Sequence, residues 1–421
     1  MKDEQNSAAQ ACGSSPRSLG RRLAPVAALL RARRLLVLPA MLLGFAAANA
    51  SAAGTFRCSQ LGSFSARNPP AACWRPYGST SPFNAPIPAN AKVASDSSEI
   101  TRHLAKYDWQ FEGGARSFSF DSGGDRPVYY AAPTDPLVHI HCTGSLGPGT
   151  CHGSLEQPSI AGITIHIPAG SQPQNAHDGH MTVIDQQKGI EYDFWQAKWI
   201  DSTDLQASSG SQIPIDNKTS TGRYGEADAA NFGLMAGVLR PEEVAAHQIN
   251  HALVIIVPCT TGYVYPALGP YGDGCTPQGQ STNDAPHIGT LFQLNMSERE
   301  IAASRPPRWE RAIMTAMARY GLYVVDTNGN SDPTTIYLGD QGPESWTSFG
   351  LPNEWAGLIK SLGGWGSGNN WVVDGVAIPR SKLRVIDSCA PRGTCRAAVR
   401  RPTRHHRPRH ARHRRRRAVR R

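Results

Sequence analysis

Two carboxylates on one arm, an imidazole and an indole fall within one short stretch of this chain, His180 to Gln196, which reads HMTVIDQQKGIEYDFWQ. Glu191 and Asp193 stand two residues apart, the spacing that puts both side chains on one face of a β-strand. At that range mutual repulsion raises one carboxyl pKa above the other, so that one group can hold a proton while its neighbour stays ionised, as acid/base catalysis requires. His180 adds an imidazole that can exchange protons near neutral pH, with Asp178 just before it. Trp195 offers a flat apolar platform and Thr182 a hydroxyl. Acid/base groups beside an aromatic platform suit a groove for sugars. The stretch therefore nominates Glu191, Asp193 and His180 as catalytic and Trp195, Thr182 and Asp178 as substrate-binding. The competing reading is a pair of ordinary solvent-facing acids and a histidine satisfied by backbone.

The element that must position these groups is a β-hairpin. Met181 and Val183 alternate with Thr182 and Ile184 on one arm, and Ile190, Tyr192 and Phe194 alternate with Glu191, Asp193 and Trp195 on the other, around a turn at Gln186 to Gly189. If Asp185 faces Ile190, then Thr182 faces Asp193, Ile184 faces Glu191 and His180 faces Trp195, because antiparallel partners keep a constant index sum. One face is then apolar and the other polar. The functional reading requires the polar face to open into a solvent-accessible trough.

Further candidates lie outside the hairpin. His251 leads an apolar strand and could point into the same groove, and Arg240, before Pro241, could clamp an acidic sugar; both are included as substrate-binding candidates. Asp326 ends a strand before a turn, where an aspartate is expected on turn chemistry alone. Trp199 reads as a core or loop anchor rather than a site residue. No cofactor is expected; the alternative is a metal at His139 and His141, which alternate on one strand and could recruit His177, His180 or His251. The sequence shows no serine-nucleophile elbow, phosphate loop or dinucleotide fingerprint, which argues against serine hydrolases and nucleotide enzymes.

The 421 residues divide by composition into three parts. Residues 1–52 read as a secretory signal peptide: Arg31, Arg33 and Arg34, an apolar run from Leu35 to Ala48, then the small-residue pattern Ala50-Ser51-Ala52. The run is shorter than the roughly 20 residues a membrane span needs, so no transmembrane span is expected after cleavage. Residues 53–388 form one β-rich domain with long loops, and residues 389–421 a disordered arginine-rich tail. The formal net charge of +10 hides this division, because Arg400 to Arg421 holds 12 arginines and no acid while residues 53–399 hold 24 basic against 31 acidic side chains. The tail suits anionic polymers, and with no base-reading motif beside it specific nucleic-acid recognition is not expected. Beyond the signal peptide eight cysteines remain, an even number that favours disulfides in an exported protein. Pairing of sequence neighbours is the simplest of about 105 connectivities: Cys58 with Cys73, Cys142 with Cys151, Cys259 with Cys275 and Cys389 with Cys395. The absence of any C-x-x-C spacing disfavours zinc.

Short alternating runs at 117–120, 128–131, 137–141, 163–167, 322–326, 372–378 and 383–386 predict strands, and 251–257 predicts a buried one. Trp309 to Tyr320 is the one convincing amphipathic helix, stopped by Gly321, with shorter helices at Ser97 to Leu104 and Arg240 to Ala246. Ser202 to Asn231 reads as a long polar loop able to cover a groove. Strands outnumber helices, so the expected class is β-rich: an antiparallel β-sandwich of jelly-roll type with a few peripheral helices.

Two resemblances add to this reading. The segments SPFNAPIPANA, PVYYAAPTDP, IHIPAG…DGHMTVID…EYDFWQA, AGVLRPEEVAAHQINHAL and MARYGLYVVDTNG resemble a widespread family of secreted, largely uncharacterised bacterial and fungal proteins, from Ser81 to about Gly329. That implies one integrated fold and an extracellular role. More narrowly, Glu191-Tyr192-Asp193-Phe194-Trp195-Gln196 resembles the E-x-D-x-x-E strand of the jelly-roll (concanavalin A-like) glycoside hydrolases. The resemblance implies Glu191 as nucleophile and Asp193 as its modulator, and Gln196 stands where that family places the acid, which leaves a retaining mechanism without its proton donor. The expected function is a secreted, carbohydrate-active protein that cleaves an extracellular polysaccharide, by hydrolysis ahead of β-elimination. The alternative is a non-catalytic glycan- or cell-wall-binding protein held to the wall by its tail.

Overall fold

The computed structural model describes residue 58 and residues 61–107, 118–144, 159–175, 178–216, 218–269, 274–275, 281–327 and 336–387. All of them belong to the unit spanning Asn49–Arg421. In chain order the strands are β1 Phe120–Asp121, β2 Val128–Ala131, β3 Leu137–Cys142, β4 Thr164–His166, β5 Met181–Asp185, β6 Ile190–Trp195, β7 Lys198–Trp199, β8 Asp204–Ala207, β9 Ser209–Pro214, β10 Leu253–Val257, β11 Leu291–Leu294, β12 Leu322–Thr327, β13 Tyr337–Leu338, β14 Trp365–Ser367, β15 Asn370–Val373 and β16 Leu383–Ile386. The helices are α1 Ser97–Tyr107, α2 Pro241–Ala246, α3 Glu298–Ala303, α4 Arg308–Arg319, α5 Glu344–Thr347 and α6 Glu354–Ser361.

Four sheets result, ordered β13-β10-β12-β11-β16, β2-β5-β6-β9, β4-β3-β8-β7 and β1-β15-β14. The β-rich class holds, but the sheets are mixed rather than purely antiparallel: β10 with β12, β2 with β5 and β3 with β8 all pair in parallel. Parallel pairing requires a crossover rather than a hairpin. Single-sequence periodicity shows a strand's faces but not its partners, so these crossovers were not visible.

The hairpin forms in the expected register, with Asp185 opposite Ile190, Ile184 opposite Glu191 and Thr182 opposite Asp193. Asp185 Oδ1 accepts from the backbone N–H groups of Gln187 and Lys188, at 3.1 and 2.9 Å, and so fixes the turn. Its apolar face buries Met181, Val183, Tyr192 and Phe194 in one cluster with Val138, Ile140, Leu205 and Ala207 of the neighbouring four-stranded sheet. Phe194 is fully enclosed there; truncation to alanine costs about 3–5 kcal/mol on general grounds.

The larger core surrounds the five-stranded sheet. β10 is apolar along its whole length because β12 and β13 flank it and both faces are covered. α4 packs on β11 through its buried side, Ile313, Ala316 and Met317, and ends at Gly321, whose φ of 90° and close approach to Phe292 admit only glycine. Disulfides join Cys58 to Cys73 and Cys259 to Cys275. Cys151, Cys389 and Cys395, with the expected signal peptide and tail, lie outside the described residues. Among those described, no helix is long and apolar enough to cross a membrane.

Candidate functional site

The polar face of the hairpin does not open to solvent. Glu191, Asp193 and Thr182 are each 0% exposed, which corrects the expectation of an accessible trough. The segment Ser202 to Asn231, expected as a long covering loop, instead contains β8 and β9, and the covering layer is the loop at 232–236 just beyond it. Its backbone seats directly on the acids: Met235 N–H donates to Glu191 Oε1 and Leu234 N–H to Asp193 Oδ2, both at 2.9 Å. Gly233 makes this approach possible, since a β-carbon there would lie 2.9 Å from Glu191 Oε1 and 2.5 Å from the Tyr77 hydroxyl oxygen. Tyr77 O–H donates to Glu191 Oε2 at 2.5 Å, and Thr182 Oγ1 donates to Asp193 Oδ1 at 2.8 Å.

Burial raises both pKa values. Glu191 rises to about 7, with the bonds from Tyr77 and Met235 opposing the desolvation, and Asp193 rises well above its usual range through burial and the Glu191 charge. The Glu191 charge is among the causes that raise the Asp193 pKa, so ionisation of one carboxyl disfavours ionisation of the other. Each is saturated by protein donors, which makes the pair a clasp between sheet and loop. Gln196, standing where the glycoside hydrolases place their acid, accepts a hydrogen bond from Ser208.

Arg240 and His251 meet elsewhere. Both are buried, and both bind Glu243 Oε1 at 2.9 Å, Arg240 through Nη2 and His251 through Nε2. Arg240 Nη2 also donates to the Trp74 carbonyl, and the His251 Nδ1 lies 2.8 Å from the Ala252 carbonyl oxygen. They brace the start of α2 against the core rather than face a groove, which corrects their expected role. Trp199 anchors a loop, donating its indole N–H to the Ser171 carbonyl.

His180, Asp178 and Trp195 do come together, in a cavity of about 250 Å³ shared with Ser209, Glu226, Ala227, Asp228, Ala229 and Asp326. Asp178 is exposed, so the cavity reaches solvent. Three elements build it: the ends of the hairpin, the loop at 226–229 and the C-terminal end of β12. Gly179, at φ 50°, makes the turn that sets Asp178 and His180 beside one another. His180 lies just outside the paired strand, so its expected pairing with Trp195 is not part of the ladder; the two instead share the cavity wall.

The cavity acids differ from the clasp in how they are satisfied. Burial alone lifts Glu226 to about 7. Asp326 rises to about 7, chiefly by burial, and Asp228 to about 6 against the pull of Arg126. His180 is 6% exposed, and its pKa is lowered, first by burial, which keeps the ring neutral near pH 7. Its Nδ1 is buried and has no hydrogen-bond partner. Behind the wall, Arg126 is 1% exposed, 3.4 Å from Asp228 Oδ2 and 3.6 Å from Asp125 Oδ1. Its Nη1 donates to the Leu234 carbonyl, so one guanidinium ties the cavity wall to the loop of the clasp.

The sequence did not single out Glu226, Asp228, Arg126 or Tyr77. The signal available was Gly225-Glu226-Ala227-Asp228, two acids two apart inside a glycine-rich segment. A larger hollow of about 780 Å³ is lined by Pro69, Pro241, Leu351, Pro352 and Leu358 among others, without a comparable convergence of acid/base groups.

Among the described residues, His139 and His141 belong to no converging group of three metal-ligand side chains. His139 and His141 stack edge to face with centroids 4.5 Å apart, and His141 Nε2 lies 2.5 Å from Asp204 Oδ1. His177 lies outside the described residues. Among those described, the group of three ligand types that converges is His103 with Cys259 and Cys275, whose sulfurs are joined in a disulfide and offer no thiolate. In comparison with known proteins, the chain matches no family model, no curated protein and no solved structure.

Proposed function

We propose that the protein is an exported carbohydrate-active hydrolase whose chemistry takes place in the His180 cavity rather than on the Glu191–Asp193 face. The observation that carries this reading is the convergence of Glu226, His180 and Trp195 on one small cavity with access to solvent. Glu226, raised to about 7, is still half protonated at neutral pH and serves as the general acid. His180, neutral and in the same wall, serves as the base. Water adds to the anomeric carbon as His180 takes its proton, and Glu226 protonates the departing sugar oxygen, so the bond breaks with no charge left on either product. Trp195 supplies the face on which a sugar ring stacks.

Acidic walls disfavour elimination, because a lyase must neutralise a uronate and this cavity would repel one. The signal-like N-terminus and the disulfides support export. The run from Arg400 to Arg421 holds the protein to anionic wall polymer. Reducing-end release from a polysaccharide panel tests the reading. The intact protein should yield product, and Glu226→Gln should lower kcat roughly 10²–10⁴-fold at an unchanged melting temperature. Glycan binding by the intact protein without product would instead establish a binding module.

A further inference from the structure

We infer that the protein has a second, non-catalytic binding site, beside Trp199, that takes an uncharged sugar chain. The inference needs no turnover in the His180 cavity. Two hollows, of about 590 and 310 Å³, share Trp199 and Gln172 in their walls and share no lining residue with that cavity. Both volumes fall in the range of roughly 300–1,000 Å³ typical of ligand sites.

The first support is the aromatic ring. Trp199 pairs with Leu205 of the next strand, and its indole N–H donates to the Ser171 carbonyl at 2.7 Å, so the ring orientation is fixed. The side chain is only half-buried and lines both hollows. The C–H face of a sugar ring stacks on such a surface, and a ring already held in place gives up little freedom on binding. The second support is what surrounds the ring. The wall carries the amides of Gln172, Gln174 and Asn175 and the hydroxyls of Thr347 and Ser348. Its backbone is satisfied from within: Gln172 N–H donates to the Tyr129 hydroxyl oxygen and to Ser348 Oγ, both at 3.1 Å, and Gln174 N–H donates to the His180 carbonyl at 2.9 Å. The exposed amides are left over. Gln172 gives one side-chain N–H to the Gly170 carbonyl, and among the described residues neither its Oε1 nor the Asn175 side chain has a hydrogen-bond partner. An amide presents a donor and an acceptor in one plane, which matches neighbouring sugar hydroxyls that both give and accept. The wall has one lysine, Lys198, and one glutamate, Glu344, so it selects for no charged sugar; Glu344 Oε1 already accepts from Asn175 N–H at 3.0 Å. A proline-rich peptide fits less well, because its recognition uses grooves lined by several aromatic rings, and among the described residues lining these hollows Trp199 is the only aromatic.

The experiment measures binding by calorimetry with the full mature chain, and again with Glu226→Gln so that cleavage does not enter. The probes are hexasaccharides of β-1,4-linked glucose, mannose and N-acetylglucosamine, a hexagalacturonate and a proline decapeptide. The expected result is that a neutral hexasaccharide binds more tightly than the last two probes. Trp199→Ala should weaken that binding about tenfold, and Trp199→Phe should retain most of it. Gln172→Ala and Asn175→Ala, at exposed side chains, should each weaken it roughly 2–10-fold at an unchanged melting temperature, and they decide the matter if Trp199→Ala fails to fold. Absence of binding to all three neutral hexasaccharides overturns the inference, as does binding that the Gln172 and Asn175 variants leave unchanged. Tighter binding of the hexagalacturonate or of the proline peptide overturns it in favour of an acidic sugar or a peptide. The hydrolase reading stands or falls separately, on release of reducing ends.

Discussion

Among the carboxyl groups with raised proton affinity, the clasp pair and the cavity acids differ in what surrounds them. In the clasp, Glu191 and Asp193 receive protein donors on all four oxygens, and a loop backbone lies against them with no room for a substrate. In the cavity, Glu226 is raised by burial alone, and the histidine beside it keeps a nitrogen without a partner. A raised pKa follows from desolvation in both places, so it does not tell a catalytic carboxyl from a structural one. Satisfaction and access do: a saturated pair holds two parts of the chain together, whereas an unsatisfied group beside solvent can act on something else.

The largest effect expected from breaking this contrast is on stability at the clasp. Glu191→Ala strands the Tyr77 hydroxyl and the Met235 N–H in a buried site, and should cost about 2–5 kcal/mol in denaturant unfolding. Glu191→Gln, which keeps the shape and an acceptor, should cost less and leave turnover within about threefold of the parent in the folded fraction. Loss of turnover in Glu191→Gln without loss of stability would reverse the roles assigned to the two regions.

A smaller effect is the pH dependence of stability. Because folding raises the Glu191 pKa from its ordinary value near 4.5 to about 7, the native state holds a proton that the unfolded chain has released. Its stabilising contribution is full below about 4.5 and is lost as pH climbs through about 7. Asp228, raised to about 6, and Asp326, raised to about 7, act in the same direction. Melting temperature should therefore fall between pH 4.5 and 7.5, and Glu191→Gln should flatten the fall without abolishing it. An unchanged slope in that variant would mean that Glu191 is not the buried proton carrier described.

Local structure was legible in the sequence where alternation was strong. The hairpin register, its turn, α4 and the limits of β2, β12 and β16 followed from side-chain period and turn chemistry. β8 and β9 were hidden because DLQA and SGSQIP are rich in small and polar residues, and what makes them strands is pairing with β3 and β6. Half of the site was legible in the same way: Asp178, His180 and Trp195 were chosen for their chemistry and do share a cavity. The other half, Glu226, Asp228 and Asp326, arrives from a loop and from another sheet. Strand parity placed Glu191 and Asp193 on a polar face correctly but could not say what lies against that face, since Gly233 and Met235 come from more than 40 residues away.

Carboxyl modification tests the contrast most directly. The folded protein is treated with a carbodiimide and glycinamide, and labelling is read peptide by peptide by mass spectrometry. Asp178 and Glu226 should label in the native state, while Glu191 and Asp193 should label only after unfolding. Native-state labelling of Glu191 at the rate of Asp178 would show the strand face to be open and would contradict the placement of the chemistry in the His180 cavity.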